Sequence, residues 1–399
     1  MLANIQPAPP DAILGLTEAF RADRNPRKVN LGVGVYKDAA GHTPVLESVR
    51  AAERILLEIE KTKSYLPISG SPGYGMSVRG LLFGEDSAMV GDGRAVTCQA
   101  PGGTGALKVG ADFLKKMYPD SKVWLSTPTW ANHSGIFSNA GFEVDNYAYY
   151  DDRLHRLGFD AMCSDLNSVP ADDIVVLHSC CHNPTGADLD AAQWQVVSEI
   201  AAEKGWVPFL DFAYQGFGAG ISEDARAVRM LAKAGLEFLV ASSFSKNFSI
   251  YYERAGALTI VADDSAKATA AFSHIELTAR TNYSNPPAHG ALIVETILND
   301  PSLRRLWESE VAEMRKRLAK MRALFVERMH QYCPDRDFSF IEKQWGMFSY
   351  SGLTREQVAF LRNERSIYVV DSGRISTAGI IDENIDYLCE SIRDALSLR

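Results

Sequence analysis

At 399 residues the chain exceeds one average domain, so two domains sharing a boundary are expected, and a content of 46% hydrophobic and 23% charged residues suits an ordinary globular core. A net charge of -9 argues against a partner with a phosphate backbone, and no run approaches the roughly 20 apolar residues of a membrane helix, so neither nucleic acid nor membrane is expected as a partner. Nothing from Met1 to Pro10 resembles a signal peptide, and six scattered cysteines (Cys98, Cys163, Cys180, Cys181, Cys333, Cys389) fit reduced thiols in a cytoplasm.

In chain order, the first element with chemical content is Gln99-Ala100-Pro101-Gly102-Gly103-Thr104-Gly105-Ala106-Leu107, opening a helix predicted to run to about Met117. A glycine-rich entry to a helix cradles a phosphate through free backbone N–H groups, although the same string also makes an ordinary turn. It lacks the Lys-Ser/Thr ending of a nucleotide-binding loop. Short apolar runs at Val123-Trp124-Leu125, Ile174-Val175-Val176-Leu177, Val207-Pro208-Phe209-Leu210, Phe238-Leu239-Val240 and 257–261 read as buried strands. Helical patterns such as Ala191 to Lys204, stopped by Gly205, lie between them. Alternation of this kind predicts an α/β unit on a largely parallel sheet, with its ligand beyond the carboxyl ends of the strands.

The residues after those strands are therefore the ones to read. Cys180-Cys181-His182-Asn183-Pro184-Thr185-Gly186 follows the strand at Leu177. It is a turn in which Asn183 can offer its amide, or a plain turn. Cys-Cys-His invites a metal reading, but no second ligand pair stands at zinc spacing, so no metal is expected. Asp211-Phe212-Ala213-Tyr214-Gln215-Gly216 follows the strand at Leu210. Asp211 there is either a helix cap or the carboxylate that keeps a pyridine ring protonated. Ser242-Ser243-Phe244-Ser245-Lys246-Asn247 follows Val240, and Lys246 is either a surface lysine or one that condenses with an aldehyde. Serine hydroxyls beside it suit a phosphate, with Arg254 as its charge partner. Past Pro301 apolar residues recur at helical spacing from Leu303 to Phe325, which predicts one amphipathic helix of roughly 30 residues. A smaller α+β unit is expected over 338–399.

Taken together these strings resemble the aspartate/aromatic aminotransferases, class I enzymes of the fold-type I pyridoxal-phosphate (PLP) group. The resemblance also rests on Asp11 to Leu16, Asn30-Leu31-Gly32-Val33-Gly34-Val35-Tyr36-Lys37, Asn282 to Gly290, and Gly373-Arg374-Ile375, and so spans nearly the whole chain. It implies an α/β fold with a large PLP-binding domain over 44–313. Residues 1–43 would form an N-terminal arm and the first part of a small α+β domain, and 314–399 the rest of it.

The resemblance further implies pyridoxal 5'-phosphate as cofactor and a role for each matching residue. Lys246 would be the Schiff-base lysine and proton carrier. Asp211 would pair with the pyridine nitrogen, with His133 behind it, while Tyr214 and Asn183 hold the phenolic oxygen and Trp130 stacks on the ring. Gly103, Thr104, Ser243 and Arg254 would hold the phosphate, joined by Tyr65 of a second subunit in a homodimer with shared active sites. Arg374 would bind the substrate α-carboxylate as a bidentate fork, with Gly34 against it. Arg280 of the neighbouring subunit would bind the side-chain carboxylate of a dicarboxylic substrate.

The implied reaction is ping-pong amino-group exchange between aspartate or aromatic amino acids and 2-oxoglutarate. Alternatives on the same fold are a PLP-dependent lyase or decarboxylase and a non-catalytic PLP-binding regulator. Arg374 opposes decarboxylation, since a salt-bridged carboxylate is held rather than expelled. A nicotinamide dehydrogenase is excluded because no Gly-x-Gly-x-x-Gly follows the first strand with an acid ~20 residues on. Val35, Lys37, Thr43, Thr104 and Asn285 form a polar set similar to aspartate-preferring members, whereas Leu66-Pro67 is closer to aromatic-preferring ones and Ser64 fits neither type.

Overall fold

The computed structural model describes residue 2, residues 5–7 and residues 12–398. Most of the segment read for a leader, and Asp11 of the first motif, lie outside the described residues.

A seven-stranded sheet forms the centre. In chain order its strands are β1 (Ala95–Pro101), β2 (Val123–Thr127), β3 (Val144–Ala148), β4 (Ile174–His178), β5 (Val207–Phe212), β6 (Phe238–Ser243) and β7 (Ala255–Val261). Their spatial order is β1-β7-β6-β5-β4-β2-β3. β4, β5 and β6 are almost wholly buried, as expected of continuous apolar runs covered by helices on both faces. Hydrophobic cores lie on both sides, one including Phe212, Phe244 and Trp307 and the other Leu107, Phe137 and Phe209.

The sheet is parallel except for β7, which runs antiparallel to both neighbours, with Ala255 opposite Pro101 and Gly256 opposite Ser243. This reversal matters for the site. The carboxyl ends of β1 and β6 and the amino end of β7 meet at one edge, so Arg254 arrives beside the glycine loop that follows β1. Two glycines permit the crowding. A Cβ on Gly256 would come within 2.4 Å of the Gly102 backbone, and one on Gly102 (φ +73) within 2.3 Å of the Arg254 guanidinium.

The helix Ala191–Lys204 starts at a reciprocal Asp190/Gln193 capping box and ends at left-handed Gly205. The long helix is Pro301–Tyr332, 32 residues, capped by Asp300 with proline in its first turn. Beyond it Phe348–Tyr350 pairs antiparallel with Arg374–Ser376, and Val29–Asn30 pairs parallel with Ile367–Tyr368. A third core joins Val29 and Leu31 to Phe325, Phe338, Ile375 and Leu388.

Candidate active site

At the carboxyl edge of the sheet lies a cavity of about 500 Å³. Eleven of the fourteen site residues expected from sequence line it: Gly34, Gly103, Thr104, Trp130, Asn183, Asp211, Tyr214, Ser243, Lys246, Arg254 and Arg374. The other three divide by position. His133 lies fully buried behind Asp211, whereas Tyr65 (91% exposed) and Arg280 stand on the outside of this single chain.

Asp211 comes from β5 and is not a helix cap. His133 Nε2 donates to its Oδ2 at 3.0 Å. One hydrogen assignment satisfies every partner in the chain behind that bond. The Asn183 backbone N–H donates to His178 Nδ1 (3.5 Å), His178 Nε2 to Thr129 Oγ1 (3.3 Å), and the Thr129 hydroxyl to His133 Nδ1 (2.8 Å). Every bond then points toward the carboxylate. Burial alone would raise the Asp211 pKa, but the hydrogen bond from His133, with the positive charge of Lys246 acting in the same sense, holds it below the ordinary aspartate value. Burial pushes His178 down to about 3, so its ring is neutral near neutral pH.

Lys246 follows β6 and its Nζ lies 4.8 Å from the centroid of the Tyr214 ring. Burial lowers its pKa to about 8; Arg254 pushes the same way and Asp211 opposes. About a fifth of such an amine is neutral near physiological pH, against roughly a thousandth at the ordinary value, which favours the role of a proton carrier. Burial raises the Tyr214 phenol, so it stays a donor.

The anion-binding end has the chemistry of a phosphate site. The helix Gly102–Met117 offers its unpaired N-terminal N–H groups, joined by the hydroxyls of Thr104, Ser243 and Ser245. Arg254 Nη1 is fixed by Ser245 Oγ (3.2 Å) and the Tyr251 carbonyl (2.9 Å). A Cβ on Gly103 would stand 3.0 Å from that of Ser243, so the cradle tolerates no larger residue without shifting.

The opposite end is built around Arg374. Its Nη1 donates to Asn183 Oδ1 (3.1 Å) and its Nη2 to the Gly32 carbonyl (2.6 Å), and its guanidinium lies 4.0 Å from the Phe348 ring centroid. The buried Nε has no partner, an unmet donor on a cation that lines the cavity, as a carboxylate ligand would require. Because Asn183 Oδ1 accepts from Arg374, its amide nitrogen is free to donate. A Cβ on Gly34 would fall 2.8 Å from Phe348 Cζ, so glycine is the side chain that leaves room there.

Sequence reading missed Tyr251, Phe348 and His178. Tyr251 accepts the Tyr36 backbone N–H at 2.8 Å and so ties the segment holding Gly34 to the cavity wall. Phe348 had no local signal. His178 ends β4 and was reachable by the strand-end argument that singled out Asp211.

The family model of class I and II aminotransferases matches residues 26–392. The chain belongs to the class I and II aminotransferases. The aspartate aminotransferase of Escherichia coli (strain K12) is 54% identical, with 98% of this chain and 99% of that protein aligned. The aromatic-amino-acid aminotransferase of the same organism is 45% identical over 96% of each. Among solved structures, the Burkholderia pseudomallei aromatic-amino-acid aminotransferase covalently bound to pyridoxal phosphate superposes with a TM-score of 0.97 at 50% identity, covering all of both chains. These matches set the lyase, decarboxylase and regulator readings aside in favour of a transaminase with the α/β fold of its family. Among the described residues, no helix is long and apolar enough to cross a membrane.

Proposed function

We propose that this enzyme transfers amino groups between dicarboxylic and aromatic amino acids and 2-oxoglutarate, using pyridoxal 5'-phosphate held in the cavity at the sheet edge. The observation that carries the reading is the convergence on one cavity of a buried lysine with its pKa lowered to about 8, a buried aspartate backed by histidine, and an arginine with an unmet buried donor. When bound, the cofactor supplies an aldehyde to take up the amino group and a ring to accept the electrons released at the substrate α-carbon.

The remaining work belongs to the chain. Asp211, oriented by His133, holds a proton on the ring nitrogen. Tyr214 and the Asn183 amide donate to the phenolic oxygen, and Trp130 covers the ring. Gly103, Thr104, Ser243 and Arg254 hold the phosphate. Arg374 clamps the α-carboxylate beside Gly34, which fixes the α-hydrogen within reach of Lys246. The neutral Lys246 amine would remove that proton and carry it on its Nζ.

Tyr65 and Arg280 stand outside the cavity of one chain, which supports a two-fold homodimer whose second subunit supplies both. In that arrangement Arg280 takes the distal carboxylate and Tyr65 the phosphate. Dual substrate acceptance is supported by relatives of both names at 44–54% identity. Asn285, which donates to the Leu66 carbonyl at 2.7 Å, ties the polar set to the loop shared with aromatic-type members. The third core supports the division into a large domain over 44–313 and a small one from 1–43 and 314–399. Six free cysteines support a cytoplasmic location. Side-by-side kcat/KM for aspartate, tyrosine and phenylalanine with 2-oxoglutarate tests the reading. Failure to produce glutamate from any of the three overturns it.

A further inference from the structure

Behind the cavity wall, outside the machinery just described, lies a buried pair of adjacent thiols. Cys180 and Cys181 follow β4, and the fold brings to them a carboxylate distant in sequence, Asp224. One ligand atom from each of the three lies within 4.8 Å of the others. All three are buried, and both cysteines are free. The sequence lacked a partner for the Cys-Cys pair because its third ligand comes from a short 3-10 turn after β5 (Glu223–Ala225). His182, the obvious neighbour, is committed elsewhere: its ring bonds Ser126 and Thr185 and stacks on Tyr149 at 3.9 Å.

We propose that Cys180, Cys181 and Asp224 form an inhibitory site for a soft divalent cation of the zinc–cadmium type. Paired sulfur ligands select such ions over magnesium or calcium. The exchange is balanced: the cation displaces one proton from each thiol, two thiolate–metal bonds form, and two protons leave to solvent. Charge in the cluster is therefore unchanged. Burial, which holds both thiols protonated in the free protein, does not oppose the metal-bound form in the same way. Arg322, buried with an unpartnered Nε, adds a positive charge beside Cys181 and Asp188.

Inhibition follows from what the three residues hold. Asp224 accepts the backbone N–H groups of Gly216 and Gly218 on Oδ2 (2.8 and 2.9 Å) and of Ala219 and Gly220 on Oδ1 (2.7 and 3.3 Å). That loop begins two residues after Tyr214. Cys181 stands two residues before Asn183, and its Sγ lies 4.0 Å from the Tyr214 carbonyl oxygen. A metal bond to Asp224 competes with the loop amides. Closing the three ligands to metal-bond distances draws together the two segments that present Asn183 and Tyr214.

Cadmium chloride is the probe, added to the holoenzyme without substrate. One ion should bind per chain, with ultraviolet sulfur-to-cadmium charge-transfer absorption. After free ion is removed, turnover should be at least about tenfold lower and return on adding a chelator. The double variant C180S/C181S should lose both the absorption and the inhibition, while C163S, lacking the more accessible thiol, should keep both. Should the double variant fail to fold, C180S and C181S singly decide, each expected to weaken cadmium binding by at least about tenfold. Absorption persisting without Cys180 and Cys181, or none in the parent enzyme, overturns the site; full binding with unchanged turnover overturns the inhibition. Binding is read without substrate, so its failure is distinct from failure of the aminotransferase reading.

Discussion

Replacing Arg374 with lysine keeps the positive charge and removes the fork, which makes it the sharpest probe of the α-carboxylate clamp. The guanidinium makes three identified contacts: Asn183 Oδ1, the Gly32 carbonyl and the face of Phe348. A lysine ammonium cannot reproduce the planar set. At least one of the two acceptors then loses its donor in a buried setting, at a cost of about 1–3 kcal/mol. The substrate carboxylate loses one of two charge-assisted bonds, worth about 1.5–3 kcal/mol. Part of the first cost falls equally on free enzyme and transition state and does not reach the rate. A net loss of about 3 kcal/mol is left, roughly a hundredfold or more in kcat/KM. The assay is kcat/KM for aspartate and for phenylalanine, with Tm measured beside it to separate misfolding from lost binding. Both substrates carry the α-carboxylate, so both should fall by the same factor. A loss tenfold greater for one than the other, or near-parental rates for both, would refute the clamp.

Lys246→Ala should abolish turnover almost wholly while leaving the fold intact; transamination at a parental rate would remove Lys246 as the proton carrier. Arg280→Ala should reduce kcat/KM for aspartate by roughly a hundredfold and leave phenylalanine far less affected, a ratio read directly from paired kinetics. Co-refolding Lys246→Ala with Arg280→Ala chains should restore aspartate activity toward about a quarter of the parental level, because random pairing leaves one native site in each mixed dimer. No recovery with mixed dimers demonstrated would rule out shared sites. In the cofactor-free protein Lys246 titrates near 8 against an ordinary value of 10.5, so between those values the unfolded chain binds more protons and stability contributed by this group rises with pH. The thermal stability of the parent relative to Lys246→Ala should therefore increase from pH 8 toward pH 10; a falling or flat difference contradicts the lowered pKa.

What was legible in the sequence follows from how local each signal is. Asp211, Asn183 and Lys246, which line one cavity, could be singled out because buried parallel strands read as apolar runs and the ligand edge lies just past them. The helix Ala191–Lys204 was bounded correctly because its cap and stop are chemical signals within the chain itself. The strand Ala95–Pro101 carries Thr97, Cys98 and Gln99 amid small residues and shows no clean period, yet it is almost wholly buried. Val144–Ala148 mixes polar and apolar residues at the sheet edge. The reversed direction of β7 was invisible as well, since a single buried run has no polarity to read. Phe348 was missed for a different reason: its contribution exists only where Arg374 and Gly34 meet it.

That reversal is also what lets one sheet edge do both halves of the work. In a wholly parallel sheet the residue preceding β7 would lie at the far edge, and Arg254 with it. Running β7 backwards delivers Arg254 to the glycine loop after β1 and places it against Ser245, which follows β6. The same positive charge then serves two ends. In the proposed reading it completes the phosphate site at a helix N-terminus, and it adds to the lowering of the Lys246 pKa. Burial does most of the lowering and Asp211 acts in the opposite sense, so the amine is poised by its buried position between a cation and an anion arriving from neighbouring strands. Poise of this kind cannot be assigned to Lys246 alone. It is a property of the strand order, which brings β7, β6 and β5 side by side.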